Sequence, residues 1–285
     1  MCDTLLKADD VCYTYEGDDR PALNHLSLEV RRGQKIACMG SNGSGKSTFF
    51  LCCNGIHKPD AGVISYHGKP MDYSKKGLLH LRSKVGIVFQ DPDHQLFSAS
   101  VLQEISFGVL NLGFSETAAR QKVNSVMDLL GITPFSHKPA HALSGGQKKL
   151  VAIADILVME PELIIFDEPA ASLDPLHTRI VRDIIDRIAA QGITVMMATH
   201  DVDYAYGWAD DILLFHEGQV TSHGSPKTVF SNPKLMETVS LRPPSTLSLF
   251  QNLCESGILP DTLPFPENPE VLADYIKAYT IPKIQ

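Results

Sequence analysis

Apolar and polar positions along this chain follow two periods. Short apolar stretches at 5–15 and 23–30, parted by Gly17, Asp18 and Asp19, predict strands joined by a turn. Lys35–Met39 predicts a short apolar strand running into Gly40, followed by a helix from about Lys46 to Asn54 that ends near Gly55. Residues 62–66 and 84–89 predict two more strands. From Asp91 to about Leu150 the pattern turns helical. Ser115 is a capping residue there, and Val123, Val126, Met127 and Leu130 recur at spacings of three and four. Leu163–Phe166 is apolar throughout, as a strand covered on both faces must be. Leu176, Ile180, Val181, Ile184, Ile185 and Ile188 form a wide helical stripe closed by Gly192. Ile193–Ala198 predicts another buried strand. Buried strands alternating with amphipathic helices imply an α/β core with a largely parallel sheet, into which 91–150 is inserted. Past about Ser225, Pro243, Pro244, Pro260, Pro264, Pro266 and Pro269 cut the chain into short helices, which predicts a C-terminal appendix. Within it Val229, Phe230, Leu247, Leu249, Phe250 and Leu253 need burial.

Composition narrows the classes. A chain of 285 residues with 44% hydrophobic and 20% charged positions suits a globular protein with a full-sized core. No apolar run approaches the length of a membrane span, and the N-terminus lacks the pattern of a secretory signal. The formal net charge of −8 argues against binding nucleic acid through its phosphates. Six cysteines without a CxxC pair read as reduced thiols, and eleven scattered histidines form no structural metal cluster.

The chemistry is concentrated in a few motifs. Gly40, Ser41, Asn42, Gly43, Ser44, Gly45, Lys46 and Ser47 fit GxxxxGK[ST] between an apolar strand and a helix. Such a loop turns backbone N–H groups toward phosphate, and the helix N-terminus adds positive potential. Lys46 is placed to reach the β- and γ-phosphates, and Ser47 to ligate Mg²⁺. Leu163–Phe166 ends in Asp167, a carboxylate suited to the Mg²⁺ shell, and then Glu168, suited to activate water. His200 and Gln90 follow two other predicted strands. In a parallel sheet those strand ends converge on one edge. His200 is then placed to donate to the γ-phosphate, and Gln90 to sense γ-phosphate, Mg²⁺ or attacking water.

Leu143-Ser144-Gly145-Gly146-Gln147 is the signature of ATP-binding-cassette proteins. The order of phosphate loop, Gln90, signature, Asp167-Glu168, Ser172-Leu173-Asp174 and His200 resembles that family over about residues 3–225. Ser144 caps a helix with an apolar face at Ile153, Ile156 and Leu157, and the amides of its first turn offer a second anion site. The stretches 68–97, 101–108, 143–154 and 241–250 are similar to the cobalt/nickel-type energy-coupling-factor ATPases, which drive uptake of metal ions or vitamins. The stretch 69–74 most resembles the cobalt member.

The resemblance implies a P-loop NTPase core of the ABC ATPase type, with an antiparallel β subdomain, a helical subdomain at about 91–150, and a helical appendix over 226–285. It implies ATP hydrolysis with Mg²⁺ held at Ser47, Gln90 and Asp167. Tyr15 matches the aromatic that stacks on adenine, and Thr48 the residue contacting the α-phosphate. Ser144, Gly145, Gly146 and Gln147 match the groups that close on the ATP of a head-to-tail partner, either a second copy or a paralogue. Asp174 matches the aspartate that communicates between the two sites. Residues 91–108 match the surface that receives an integral membrane subunit, which works beside a substrate-binding membrane subunit. The implied location is the cytoplasmic face of a prokaryotic membrane. Leu150, Ala170 and Asp155 depart from the family pattern without removing a catalytic group. A soluble cassette acting on DNA or ribosomes and a non-catalytic nucleotide sensor compete with this reading. The acidic balance weighs against the first, and Glu168 with His200 against the second.

Overall fold

The computed structural model describes residues 4–239 and 241–280. Its strands are β1 (Thr4–Tyr13), β2 (Leu23–Arg31), β3 (Lys35–Met39), β4 (Ala61–Tyr66), β5 (Lys69–Pro70), β6 (Val85–Val88), β7 (Leu163–Asp167), β8 (Thr194–Ala198), β9 (Asp211–His216) and β10 (Gln219–Gly224). Its α-helices begin with α1 (Lys46–Cys53), α2 (Lys75–Lys84), α3 (Val101–Asn111), α4 (Glu116–Leu130) and α5 (Gly145–Leu157). They continue with α6 (Pro175–Ala190), α7 (Val202–Trp208), α8 (Pro226–Phe230), α9 (Pro233–Thr238), α10 (Ser245–Glu255) and α11 (Pro269–Thr280).

Two sheets divide the work. The strands β2-β1-β4-β5 form an antiparallel sheet, as expected of the β subdomain. A second sheet runs β10-β9-β3-β8-β7-β6, parallel from β9 to β6 with β10 antiparallel at its edge. Its central strands are buried on both faces because neighbouring residues feed two different cores. Ile36, Cys38, Ile165 and Met196 face a core shared with α1 and the antiparallel sheet. Ala37, Met39, Ile164, Phe166, Val195 and Met197 face a core shared with the helical subdomain and α6. An apolar run without alternation is therefore what these strands require.

Several expectations need correction. The helical block does not stop at Leu150, because α5 runs on to Leu157. Leu176 is exposed at the first turn of α6, so the buried stripe is carried by Val181, Ile184, Ile185 and Ile188. Helix α2 and the hairpin β9–β10 have no counterpart in the sequence pattern above. The hairpin does carry a signal: Glu217 and Gly218 take φ of 47° and 76°, as a two-residue turn matching strand twist demands.

In the appendix, Val229, Phe230, Met236, Val239 and Leu247 join the core that contains Trp208 and Tyr206. Phe250, Leu259 and Leu272 make a small core of their own, with Leu253 packed against it. Leu249, expected to be buried, is exposed. Tyr206 Oη donates to Pro266 O at 2.8 Å, and the Asp203 carboxylate accepts from Ser245 N and Oγ, so α7 anchors the appendix. Described cysteines are unpaired. Among the described residues no helix is long and apolar enough to cross a membrane.

Candidate functional site

The parallel strands β3, β8, β7 and β6 deliver their C-terminal ends to one edge, and the predicted site residues follow from that geometry. A cleft of about 690 Å³ is lined by Tyr15, by loop and helix residues from Asn42 to Thr48, and by Gln90, Asp167, Glu168 and His200. Gly40 and Ser41 start the same loop. Gly40 takes φ 143°, and a Cβ there would lie 2.2 Å from Phe215 O, so no other residue lets the loop leave β3 beside β9. Lys46 is buried, and its Nζ donates to Gly40 O at 2.9 Å and Ser41 O at 3.0 Å. Burial lowers its pKa, while Glu168 and Asp167 act to raise it.

Glu168 is the tensest point of the cleft. Its backbone sits at φ 45°, left-handed for a residue with a side chain. Burial raises its pKa. His200 and Lys46 pull it down, and Asp167 pushes it up. Oε1 is buried without a hydrogen-bond partner and lies 3.3 Å from His200 Nε2. A carboxylate oxygen shielded from bulk water and making no hydrogen bond is suited to accept a proton from a molecule that enters the cleft. The hydroxyl of Ser47, the amide of Gln90 and the carboxylate of Asp167 are all-oxygen donors of the kind Mg²⁺ takes, so the residues present fit that ion. Thr48 Oγ1 and Tyr15 Oη lie 3.1 Å apart, and the Tyr15 ring meets Tyr13 and His57 edge-on at 5.1 and 5.4 Å.

The signature stands outside this cleft. Ser144 and Gln147 close a reciprocal capping box at the start of α5. Gly145 lines a different cavity, of about 610 Å³, which shares only Gln90, Asp167 and Ala171 with the first. Ser144 and Gly145 are exposed. Asp174 is also apart: it caps α6, accepting from Leu176 N and His177 N. The sequence reading missed His177, which bonds Asp174 through Nδ1 and abuts Gly146. A Cβ on Gly146 would fall 2.1 Å from the His177 ring, so that glycine is required by close approach of α6. Lys149 and Gln95 were likewise missed. Both bridge α5 to the segment after β6.

A phosphate loop and a strand-end carboxylate pair on one sheet edge, with a signature helix presented separately, define an ATP-binding cassette. The ABC transporter family matches residues 23–171, more than half of the chain, and the chain belongs to that family. It is 44% identical over 256 residues to an "Energy-coupling factor transporter ATP-binding protein EcfA2" of Clostridium perfringens, covering 90% of both chains. It is 42% identical over 261 residues to a protein of the same name from Methanospirillum hungatei, covering 91% of this chain but only 65% of that longer relative. Among solved structures it is similar to cbiO1 of Clostridium perfringens, described as part of the ABC transporter complex cbiONQ. The TM-score is 0.73 at 42% identity, over 89% of this chain and 99% of that one. The chain is accordingly an ATP-binding ATPase of the transport class.

Proposed function

We propose that this chain is the ATP-hydrolysing motor subunit of an energy-coupling-factor importer, for cobalt or nickel ions. One observation supports the motor reading most: a single chain carries a phosphate cleft with a Glu168 oxygen that makes no hydrogen bond, and presents its signature at a different, exposed place. Two such chains in head-to-tail contact bring each phosphate loop against the partner's signature. The substrate class rests on the resemblance of residues 68–97, 101–108, 143–154 and 241–250, with 69–74 pointing to cobalt, and a vitamin is the alternative because the membrane partners choose the substrate.

In this reading ATP lies with adenine on Tyr15, the α-phosphate at Thr48 and the β- and γ-phosphates within the loop Gly40–Ser47, opposite Lys46. Ser47, Gln90 and Asp167 hold Mg²⁺, which supplies charge neutralisation at the phosphate oxygens. Glu168 takes the proton of the attacking water, and His200 donates to the γ-phosphate. Ser144, Gly145, Gly146 and Gln147 close on the partner's ATP, and Asp174 links the two sites. Phe97 and Phe107 pack edge-on, 5.1 Å apart and both exposed, with exposed Leu102 and Leu110 nearby in sequence. This apolar patch is the docking surface for a membrane subunit at the cytoplasmic face.

Glu168→Gln tests the mechanism. The amide keeps the shape but cannot take a proton, so turnover should fall at least 100-fold while ATP still binds. Size-exclusion chromatography with MgATP should then show a trapped dimer. A variant that stays monomeric rules out the composite site, and one that hydrolyses as the parent does rules out Glu168 as the base.

A further inference from the structure

Helix α5 does more than present the signature. Three points along it hold the segment that follows β6. Lys148 Nζ pairs with the Asp93 carboxylate at 2.6 Å. Lys149 Nζ donates to the backbone carbonyls of Phe89 at 2.9 Å and Gln90 at 2.8 Å. Ala152 O and the Asp155 carboxylate both accept from Gln95 Nε2, at 2.9 and 3.2 Å. The middle point is the unusual one. Lys149 is 1% exposed, and a buried ammonium is retained only where its hydrogen bonds and counter-charges repay its desolvation. Here two carbonyls accept from it, and Asp91 and Asp167 act on it electrostatically.

We infer that Lys149 is a positioning residue for Gln90, fastening the γ-phosphate sensor to the signature helix. The inference rests on the proposed function and deepens it. Holding Gln90 O from the α5 side fixes the backbone that aims the Gln90 side chain into the phosphate cleft. Ser144 and Gly145 start the same helix, one turn before Lys149. A displacement of Gln90 on contact with nucleotide therefore carries the signature with it, and closure of the signature on a partner's ATP resets Gln90. The two anion sites of one chain become a single lever, which is how occupancy of one composite site is felt at the other.

Lys149→Met tests this, because it keeps the apolar stem and removes the three donors. Steady-state MgATP hydrolysis and nucleotide affinity are measured on the full chain, well below its melting temperature, with Lys149→Gln and wild type in parallel. Expected for Lys149→Met is an ATP affinity within twofold of wild type, a kcat about tenfold lower, and a Hill coefficient for ATP reduced to 1. Lys149→Gln, with one amide donor, restores part of both losses. A purely structural lysine would lower the melting temperature and leave kcat and the Hill coefficient alone, and that result overturns the inference. If Lys149→Met does not fold, Lys149→Gln decides: kcat at least threefold lower at unchanged affinity supports the inference, and unchanged kcat overturns it. Absence of turnover in wild type fails the proposed function itself, and the inference with it. Wild-type turnover matched by the variants fails the inference alone.

Discussion

His200 Nε2 lies 3.3 Å from Glu168 Oε1, two side chains from the ends of neighbouring parallel strands meeting over the phosphate loop. Glu168 is mostly shielded, whereas half of the His200 side chain faces solvent. The histidine is thus the partner open to solvent and the carboxylate the enclosed one. Replacing His200 with alanine should leave ATP binding within a few-fold of the parent and lower kcat by roughly 100-fold, the range of a lost positioned proton donor. Turnover assays at saturating MgATP check it. Retained kcat with a raised KM would instead make His200 a binding group.

The phosphate cleft was legible because its chemistry dictates residue types at fixed places. Gly40 cannot carry a side chain beside Phe215 O, a lysine reaching a proposed phosphate site must follow the loop as Lys46 does, and a fully buried strand must be apolar before Asp167. The signature was legible for the same reason, since Ser144 and Gln147 cap each other's backbone. What escaped was whatever depends on the third dimension. A buried Lys149 reads in sequence like its half-buried neighbour Lys148, and His177 meets Gly146 only once α6 lies on α5. Helix α2 was missed because only Leu81 and Ser83 of its ten residues are buried, which leaves a weak apolar stripe.

Asp155 sets a pH dependence of stability. Burial pushes its carboxyl up to about 7, Gln95 donating to it lowers the value, and Glu104, itself buried, raises it again. A folded-state pKa above the unfolded one, near 3.9, means the protonated form is the one folding favours. That contribution is fully present below pH 4 and is lost as pH rises through 7. Asp155→Asn removes the charge and keeps an acceptor for Gln95. Because Asp155 retains some solvent contact, the gain at pH 8 should be about 1–2 kcal/mol rather than the full linkage value, or roughly 2–8 °C in melting temperature. At pH 5 the gain should fall to about a third of its pH 8 value, and below pH 4 it should vanish. Equal melting temperatures for parent and variant at pH 8 would place Asp155 in ordinary solvent.

Truncation after Ser225 should cost stability far more than chemistry. Val229, Phe230, Met236, Val239 and Leu247 are each nearly fully buried in the same core as Trp208 and Tyr206. At roughly 1.5–3 kcal/mol for each such side chain, their joint burial is comparable with the whole margin of a folded domain. The shortened chain should melt more than 10 °C lower or fail to stay soluble, while any folded fraction still binds ATP, since no residue past 225 lines the phosphate cleft. An unchanged melting temperature would show that the appendix is separable.

The segment after Gln90 separates into two environments at adjacent residues. Leu96 and Phe97 are both large apolar residues within the 91–108 stretch expected to receive a membrane subunit, but Leu96 is 8% exposed and belongs to the main core, whereas Phe97 is 68% exposed. The backbone between them is fixed by Glu104, whose Oε2 accepts from Phe97 N and Ser98 N at the start of α3. With those two bonds in place one side chain lies inward and the next outside. The two substitutions should therefore fail in different assays. Leu96→Asp places an unpaired carboxylate among apolar groups and should lose several kcal/mol, seen as a collapse of the melting temperature and poor solubility. Phe97→Asp should change stability by less than about 0.5 kcal/mol and keep basal ATP hydrolysis. It should still abolish co-purification with the membrane subunit, and uptake with it, because a charge replaces the centre of the apolar patch. Normal assembly and uptake by Phe97→Asp would move the docking surface elsewhere. A stable Leu96→Asp would instead show that the core beneath the loop can open without cost.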